Sequence, residues 1–172
     1  MTYTISTLGP EGTDSQRAAH HYALSSGISD YDILLCESFE DALDRVRDGS
    51  DFGIVPAAYP GLFALHCKYR DLPIIGSFVL YTKSMVLARA NQNGPIRTVA
   101  LHPATKHLLS DQYEPVFINS KPLCLRKVVD GDVDAGIGSK DVAEELGLKI
   151  VEEFGEIPMT WEVFSRGEKN GL

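Results

Sequence analysis

Apolar and polar positions along this chain fall into short blocks that switch between two periods. Tyr3-Thr4-Ile5-Ser6 alternates residue by residue, as a strand with one buried face does. After Leu8-Gly9-Pro10-Glu11-Gly12-Thr13-Asp14-Ser15-Gln16, the apolar residues Ala18, Ala19, Tyr22 and Ala23 recur at helical spacing. Thr13 and Gln16 stand in capping-box spacing, so Thr13 or Ser15 is placed to satisfy the first free amides of that helix. Asp32 to Cys36 reads as a short buried strand. Ser38 caps a second helix with Asp41 three residues on, and Phe39, Ala42, Leu43 and Val46 form its buried stripe. Asp48-Gly49 closes the helix, and Phe52-Gly53-Ile54-Val55 is a buried strand stopped by Pro56.

A second set follows the same order. Thr98 to Leu101 is a strand, His102-Pro103 opens a helix, and Pro115 to Ile118 is a strand ending at Asn119-Ser120. A helix through Leu123, Val128 and Val129 stops at Asp130-Gly131, and Asp134 to Gly138 is the next strand. Ser139 caps a helix running to Leu146-Gly147, and Leu148 to Val151 forms a further strand.

The two sets rhyme. Val46-Arg47-Asp48-Gly49-Ser50-Asp51-Phe52-Gly53-Ile54 parallels Val128-Val129-Asp130-Gly131-Asp132-Val133-Asp134-Ala135-Gly136-Ile137, with one residue inserted. Strands alternating with helices favour parallel sheets covered by helices. The repeat divides them into two similar α/β lobes with a cleft between them. Lobe one spans about 1–78 plus 158–172 and lobe two about 79–157, with Pro73 to Ala90 carrying the chain across and Met159 to Phe164 carrying it back. Ligands in such folds sit at the carboxyl ends of the strands. The residues just past those ends are Gly9 to Ser15, Glu37-Ser38, Ala57 to Gly61, His102-Pro103, Asn119-Ser120 and Ser139, a set rich in hydroxyls.

Composition narrows the ligand. The chain has 172 residues, 44% of them hydrophobic, with a net charge of −8. An acidic protein of this kind lacks the cationic face that nucleic acid or an anionic membrane requires. A small anion needs only a few local donors, and the start of the first helix supplies them through its free amides and dipole. The apolar run from Ile74 to Ala90 is too interrupted by Gly76, Ser77, Thr82, Lys83 and Ser84 to span a bilayer. The three cysteines, Cys36, Cys67 and Cys124, show no metal spacing and read as reduced, buried small hydrophobes. No signal pattern opens the chain, so a cytoplasmic protein without metal or cofactor is expected.

Leu8-Gly9-Pro10-Glu11-Gly12-Thr13-x-Ser15, Ser38-Phe39-Glu40-Asp41, Gly53-Ile54-Val55-Pro56, His102-Pro103, Asn119-Ser120 and a threonine near the C-terminus come in the order seen in prephenate dehydratase catalytic domains. The resemblance covers nearly the whole chain and implies a two-lobed fold, a small anionic cyclic substrate and a homodimer, while the regulatory domain that often follows such catalytic domains is not expected here. Departures are equally specific. Where dehydratases carry an Ile-Glu-Asn-Ser run, this chain reads Ala57-Ala58-Tyr59-Pro60. The Ser-His-Pro motif is Leu101-His102-Pro103, the Asn-Ser-Thr run is Asn119-Ser120-Lys121, and the terminal Thr-Arg-Phe is Thr160-Trp161-Glu162. Val55-Pro56-x-Ala58-Tyr59-x-Gly61 and Ile157-Pro158-Met159-Thr160-Trp161 resemble the prephenate decarboxylase branch of bacilysin-type antibiotic pathways. That branch removes carbon dioxide without aromatising the ring. A diverged dehydratase-like enzyme, as in tropodithietic acid biosynthesis, and a non-catalytic acid-binding protein are the alternatives.

By this resemblance, Gly12, Thr13 and Ser15 hold a substrate carboxylate, with Ala58, Asn119, Ser120, Lys121 and Trp161 completing the binding set. Thr160, His102 and Tyr59 are the candidate catalytic groups. Each has a plainer role available: His102 as a helix cap, Asn119-Ser120 as an N-cap pair, Tyr59 and Trp161 as core aromatics. Glu162 is a candidate general acid, with a strand-edge charge as the plainer reading.

Overall fold

The computed structural model describes residues 2–90 and 94–167, so the tail 168–172 of the expected first lobe lies outside the described residues. The chain divides into two compact units, one running to Leu80 and resuming at Pro158, the other from Tyr81 to Ile157.

The first unit is built on a five-stranded sheet. Its strands are β1 (Tyr3–Leu8), β2 (Tyr31–Cys36), β3 (Phe52–Pro56), β4 (Ile74–Tyr81) and β10 (Pro158–Ser165), in the spatial order β2-β1-β3-β10-β4. β1 pairs in parallel with both β2 and β3, and β10 runs antiparallel to β3. Three helices belong to this unit: α1 (Asp14–Ser25), α2 (Phe39–Asp48) and α3 (Leu62–Lys68). One face of the sheet packs Ile5, Ile54, Trp161 and Val163 against Ala18, Ala19 and Ala23 of α1. The other packs Val55 and Phe164 against Phe39, Leu43 and Val46 of α2 and Leu65 of α3. Two hydroxyls buried in β1 are satisfied by backbone: Ser6 donates to Ala42 O at 2.8 Å and Thr7 to Ile54 O at 2.8 Å.

The second unit repeats the plan. Its strands are β5 (Met85–Arg89), β6 (Thr98–Leu101), β7 (Glu114–Phe117), β8 (Ala135–Ser139) and β9 (Lys149–Gly155), in the order β7-β6-β8-β5-β9. Parallel β7-β6-β8 matches parallel β2-β1-β3, and antiparallel β5 takes the place of β10. A 3-10 helix (Pro103–Leu108), α4 (Lys121–Val129) and α5 (Lys140–Glu145) complete the unit.

The sequence repeat has a physical counterpart in the two units. Gly53 and Gly136 are where α2 and α4 press onto their sheets. A Cβ on Gly53 would lie 2.9 Å from Leu43 Cδ2 and Val46 Cγ2, and one on Gly136 would lie 2.8 Å from the Cys124 carbonyl oxygen. The acidic turn residues also match. Asp51 accepts the Thr4 amide at 2.9 Å, and Asp134 accepts the Arg97 and Thr98 amides at 2.9 Å each. In both units a carboxylate before the third parallel strand pins the start of the first.

Three local expectations change. Asp32–Cys36 is not a fully buried strand: β2 is the edge of its sheet, with no further strand among the described residues on that side, and Leu34 is 38% exposed. Cys67 is exposed, unlike Cys36 and Cys124, because α3 buries Leu65 and turns its other side to solvent. Glu162 is no strand-edge charge, since β10 lies between β3 and β4. Helix α3 was not foreseen, for it is short and has no side-chain cap.

Candidate active site

The loop between β1 and α1 is shaped by its own side chains. Thr13, in extended conformation, accepts the Gln16 amide at 3.4 Å and donates its hydroxyl proton to Pro10 O at 3.0 Å. Gln16 reaches back to the Gly12 amide at 2.7 Å, one residue earlier than a standard capping box. Gly12 has φ +81°, in the left-handed region that disfavours a side chain. Ser15 is buried in the first turn. The Asp14 carboxylate, also in that turn, is held by Arg17 at 3.0 Å. The first-turn amides of a helix have no carbonyl within it to donate to, the usual condition for anion binding.

The loop after β3 is fastened to β10. The Ala57 amide donates to the Thr160 carbonyl at 2.8 Å, which places Ala58 and Tyr59 beside Thr160. Ala58 and Thr160 are exposed, while Tyr59 is half-buried. The Tyr59 ring packs on Phe39 with centroids 4.8 Å apart, and its hydroxyl donates to Glu40 Oε1 at 3.4 Å. Burial, reinforced by the Glu40 carboxylate, pushes the phenol pKa above its ordinary value, so Tyr59 keeps its proton. Gly61 makes room for this ring: a Cβ there would lie 2.6 Å from Tyr59 Cε1.

Alternation along β10 separates the two candidates next to each other in sequence. Trp161 and Val163 face α1, whereas Phe164 packs with α2 and α3, the side that Thr160 and Glu162 share by alternation. Trp161 is 1% exposed, and its indole Nε1 has no hydrogen-bond partner among the described residues. Glu162 instead meets His66 of α3, with Oε2 2.7 Å from Nε2. The imidazole also lies against Phe164, ring centroids 5.8 Å apart. This carboxylate–imidazole pair was not foreseen. Its signal in the sequence was a charge set between Trp161 and Val163 in a buried strand, which demands a partner.

In the second unit the candidates lie at the carboxyl ends of β6 and β7. His102 caps the 3-10 helix, its Nδ1 accepting the Ala104 amide at 3.2 Å. That bond fixes the neutral tautomer with its proton on Nε2. Burial and, secondarily, the positive charge of Lys121 lower the His102 pKa. Ser120 occupies the N-cap of α4 without a side-chain cap bond. Its carbonyl accepts the buried Cys124 thiol at 3.2 Å, and burial raises that thiol to about 11, so it is no nucleophile. Asn119 is exposed. The Ile118 amide bonds Leu101 O at 3.0 Å, bringing the segments that bear His102 and Asn119 side by side.

Solved structures share this architecture. A quorum-quenching acylase, GqqA, superposes with a TM-score of 0.61 at 17% identity over 98% of this chain and 66% of its own. The periplasmic VFT2 domain of Bordetella pertussis BvgS gives 0.58 at 15% identity, covering 97% of this chain and 82% of that one. A TRAP periplasmic solute binding protein from Desulfovibrio salexigens gives 0.59 at 14% identity, over 96% and 66%. The fold is that of the periplasmic-binding-protein-like α/β proteins.

The sequence profile of prephenate dehydratase matches residues 5–157, and the chain belongs to that family of lyases. Among characterised relatives, prephenate decarboxylase from Bacillus subtilis (strain 168) is 28% identical over 96% of this chain and 87% of its own length. The prephenate decarboxylase of Bacillus amyloliquefaciens is 29% identical with the same coverage. Prephenate dehydratase from Mycolicibacterium smegmatis is 27% identical, but this chain spans only 54% of its length.

Proposed function

We propose that this chain is a lyase that decarboxylates prephenate, or a closely related cyclohexadiene acid, without aromatising the ring. The observation that carries the reading is the His66–Glu162 pair on the same face of β10 as Thr160. In the family's terminal Thr-Arg-Phe the Arg position is Trp161 here and the Phe position is Glu162, so a carboxylate that holds an imidazole stands where the family carries an apolar ring. The two relatives named as decarboxylases support the same branch.

The proposed chemistry follows from that exchange. The bond from the ring to its carboxylate breaks and carbon dioxide departs. The electron pair moves into the ring diene, and a proton is delivered to ring carbon while the ring hydroxyl stays. A dehydratase must instead protonate the departing hydroxyl. In the proposed arrangement the His66–Glu162 pair supplies the proton. Thr160 donates a hydrogen bond, and Tyr59, kept as a phenol with its proton directed to Glu40, presents its ring and oxygen without being acidic enough to expel hydroxide. Thr13, Ser15 and the first-turn amides of α1 hold a substrate carboxylate. Gly12 and Ala58 leave the backbone open to it. His102, Asn119, Ser120 and Lys121 remain binding candidates of the second unit, and Trp161 shapes the site from beneath β10. Exposed Ile74, Ile75 and Val79 on edge strand β4 support a homodimer, which light scattering would detect.

The test is the product. Purified protein mixed with prephenate is followed by ultraviolet spectrum and mass. A hydroxylated dihydro-ring pyruvate supports decarboxylation. Phenylpyruvate establishes a dehydratase, the second reading that the M. smegmatis relative favours. Saturable binding of unchanged prephenate rejects both.

A further inference from the structure

Glu40 stands in the first turn of α2, in the Ser38-Phe39-Glu40-Asp41 run. An acidic residue there suits the helix dipole, which is its plainer role. Its surroundings add a second. The Ser38 side chain accepts the Asp41 amide at 3.0 Å, and the Tyr69 hydroxyl donates to the Glu40 carbonyl at 2.8 Å. Tyr69 is itself buried, with Arg47 Cζ 4.5 Å and Lys68 Nζ 4.8 Å from its ring centroid. The backbone that carries the Glu40 carboxylate is therefore fixed from two directions.

The carboxylate is directed at Tyr59. Its Oε1 accepts the phenol proton at 3.4 Å, and among the described residues no other acceptor reaches that proton and no donor reaches the phenol oxygen. The ring is held in place. It packs on Phe39 and lies over Gly61, where a Cβ would come 2.9 Å from the hydroxyl oxygen. The Tyr59 amide donates to Pro56 O and the Leu62 amide to Tyr59 O, each at 3.0 Å, which fixes the turn beneath it. A phenol that gives its one proton to a carboxylate has only lone pairs left to offer. A neighbouring hydroxyl can donate to it but cannot take a proton from it.

We propose that Glu40 is a positioning residue that sets the direction of the Tyr59 hydrogen bond and so decides which product the lyase forms. The inference rests on the reading of this site as acting on prephenate. In both outcomes the ring–carboxylate bond breaks, and carbon dioxide leaves its electron pair with the ring. In dehydration that pair displaces the ring hydroxyl as the C–O bond breaks, and the departing hydroxide takes a proton to become water. In decarboxylation without aromatisation a ring carbon takes the proton and the C–O bond survives. With its own proton held by Glu40, Tyr59 accepts the hydrogen bond of the ring hydroxyl. That leaves electron density on the ring oxygen and makes it a poorer leaving group.

The full chain is mixed with prephenate and scored for the ratio of phenylpyruvate to the hydroxylated dihydro-ring pyruvate. Glu40→Gln weakens the acceptor and Glu40→Leu removes it, so the ratio rises in that order, by about tenfold for Glu40→Leu. Adding Tyr59→Phe to Glu40→Leu deletes the released proton and returns the ratio most of the way, which a structural role for Glu40 would not do. A ratio within about twofold of wild type in Glu40→Leu, or one that stays raised in the double variant, overturns the proposal. The Cζ resonance of isotope-labelled tyrosine, assigned to Tyr59 by its loss in Tyr59→Phe, reads the same hydrogen bond without substrate and moves in Glu40→Gln. An unmoved resonance beside an active wild type sinks this proposal alone. A wild type that leaves prephenate unchanged rejects the lyase reading, and the control of product falls with it.

Discussion

His66 and Glu162 are 96 residues apart in the chain, yet Nε2 and Oε2 are 2.7 Å from one another. Their side chains are 30% and 19% exposed, so the pair is sheltered but open enough to exchange protons. Strand β10 returns from the second unit to lie against β3, and that return alone creates the pair.

If the pair handles a proton, Glu162→Gln keeps the hydrogen bond but removes the charge. Turnover on prephenate then falls by about a hundredfold with little change in KM, the scale of general acid–base catalysis. His66→Gln behaves alike, and the double variant is no worse than either single one. Turnover within about threefold of wild type in both single variants would remove the dyad from the mechanism.

His102 makes stability depend on pH. Its folded-state pKa lies below the ordinary 6.5, and the cap bond needs the unprotonated Nδ1. The unfolded chain therefore takes up the proton first as pH drops. The contribution of His102 is complete above about pH 6.5 and is lost as pH falls from there through the depressed folded value. His102→Gln should flatten the Tm-against-pH curve below neutrality, and an unaltered slope counts against this account.

Gly53→Ala and Gly136→Ala occupy equivalent points of the repeat but should differ in cost. The Cβ at Gly53 meets side-chain methyls that can turn aside, whereas at Gly136 it meets the Cys124 carbonyl oxygen. Overpacking costs about 1–3 kcal/mol, and Gly136→Ala belongs at the upper end or beyond it. Urea midpoints in the opposite order would show that α4 shifts more freely than α2.

Trp161 offers a size test. Trp161→Ala empties the core beneath α1 and should cost about 3–5 kcal/mol. Trp161→Phe also deletes an indole N–H that lacks a partner, which offsets part of the lost packing and keeps the cost below about 2 kcal/mol. Equal losses in the two variants would mean that the indole nitrogen has a partner in solution.

Much of the fold was legible because its signals are local. Thr13, Ser38 and His102 cap the elements they precede, and a hydroxyl or imidazole within three residues of a free amide needs no distant help. The matching Asp-Gly turns announced the repeat, and strand orders β2-β1-β3 and β7-β6-β8 bear it out. β2 was misjudged because four successive apolar-rich positions do not reveal whether a strand has a neighbour on each side. α3 escaped notice because seven residues without a side-chain cap leave little periodicity to read.

The site divides in the same way. Residue order determined the α1 loop, the Tyr59 loop and the His102 cap, since each is made by residues close in sequence. Only the tertiary structure decided that Trp161 turns into the core while its neighbour Glu162 meets His66. Alternation along a strand fixes that neighbours diverge, but which face is which depends on the helices that pack there. A partner brought by a strand returning from elsewhere in the chain leaves no periodic trace beside the residue it meets.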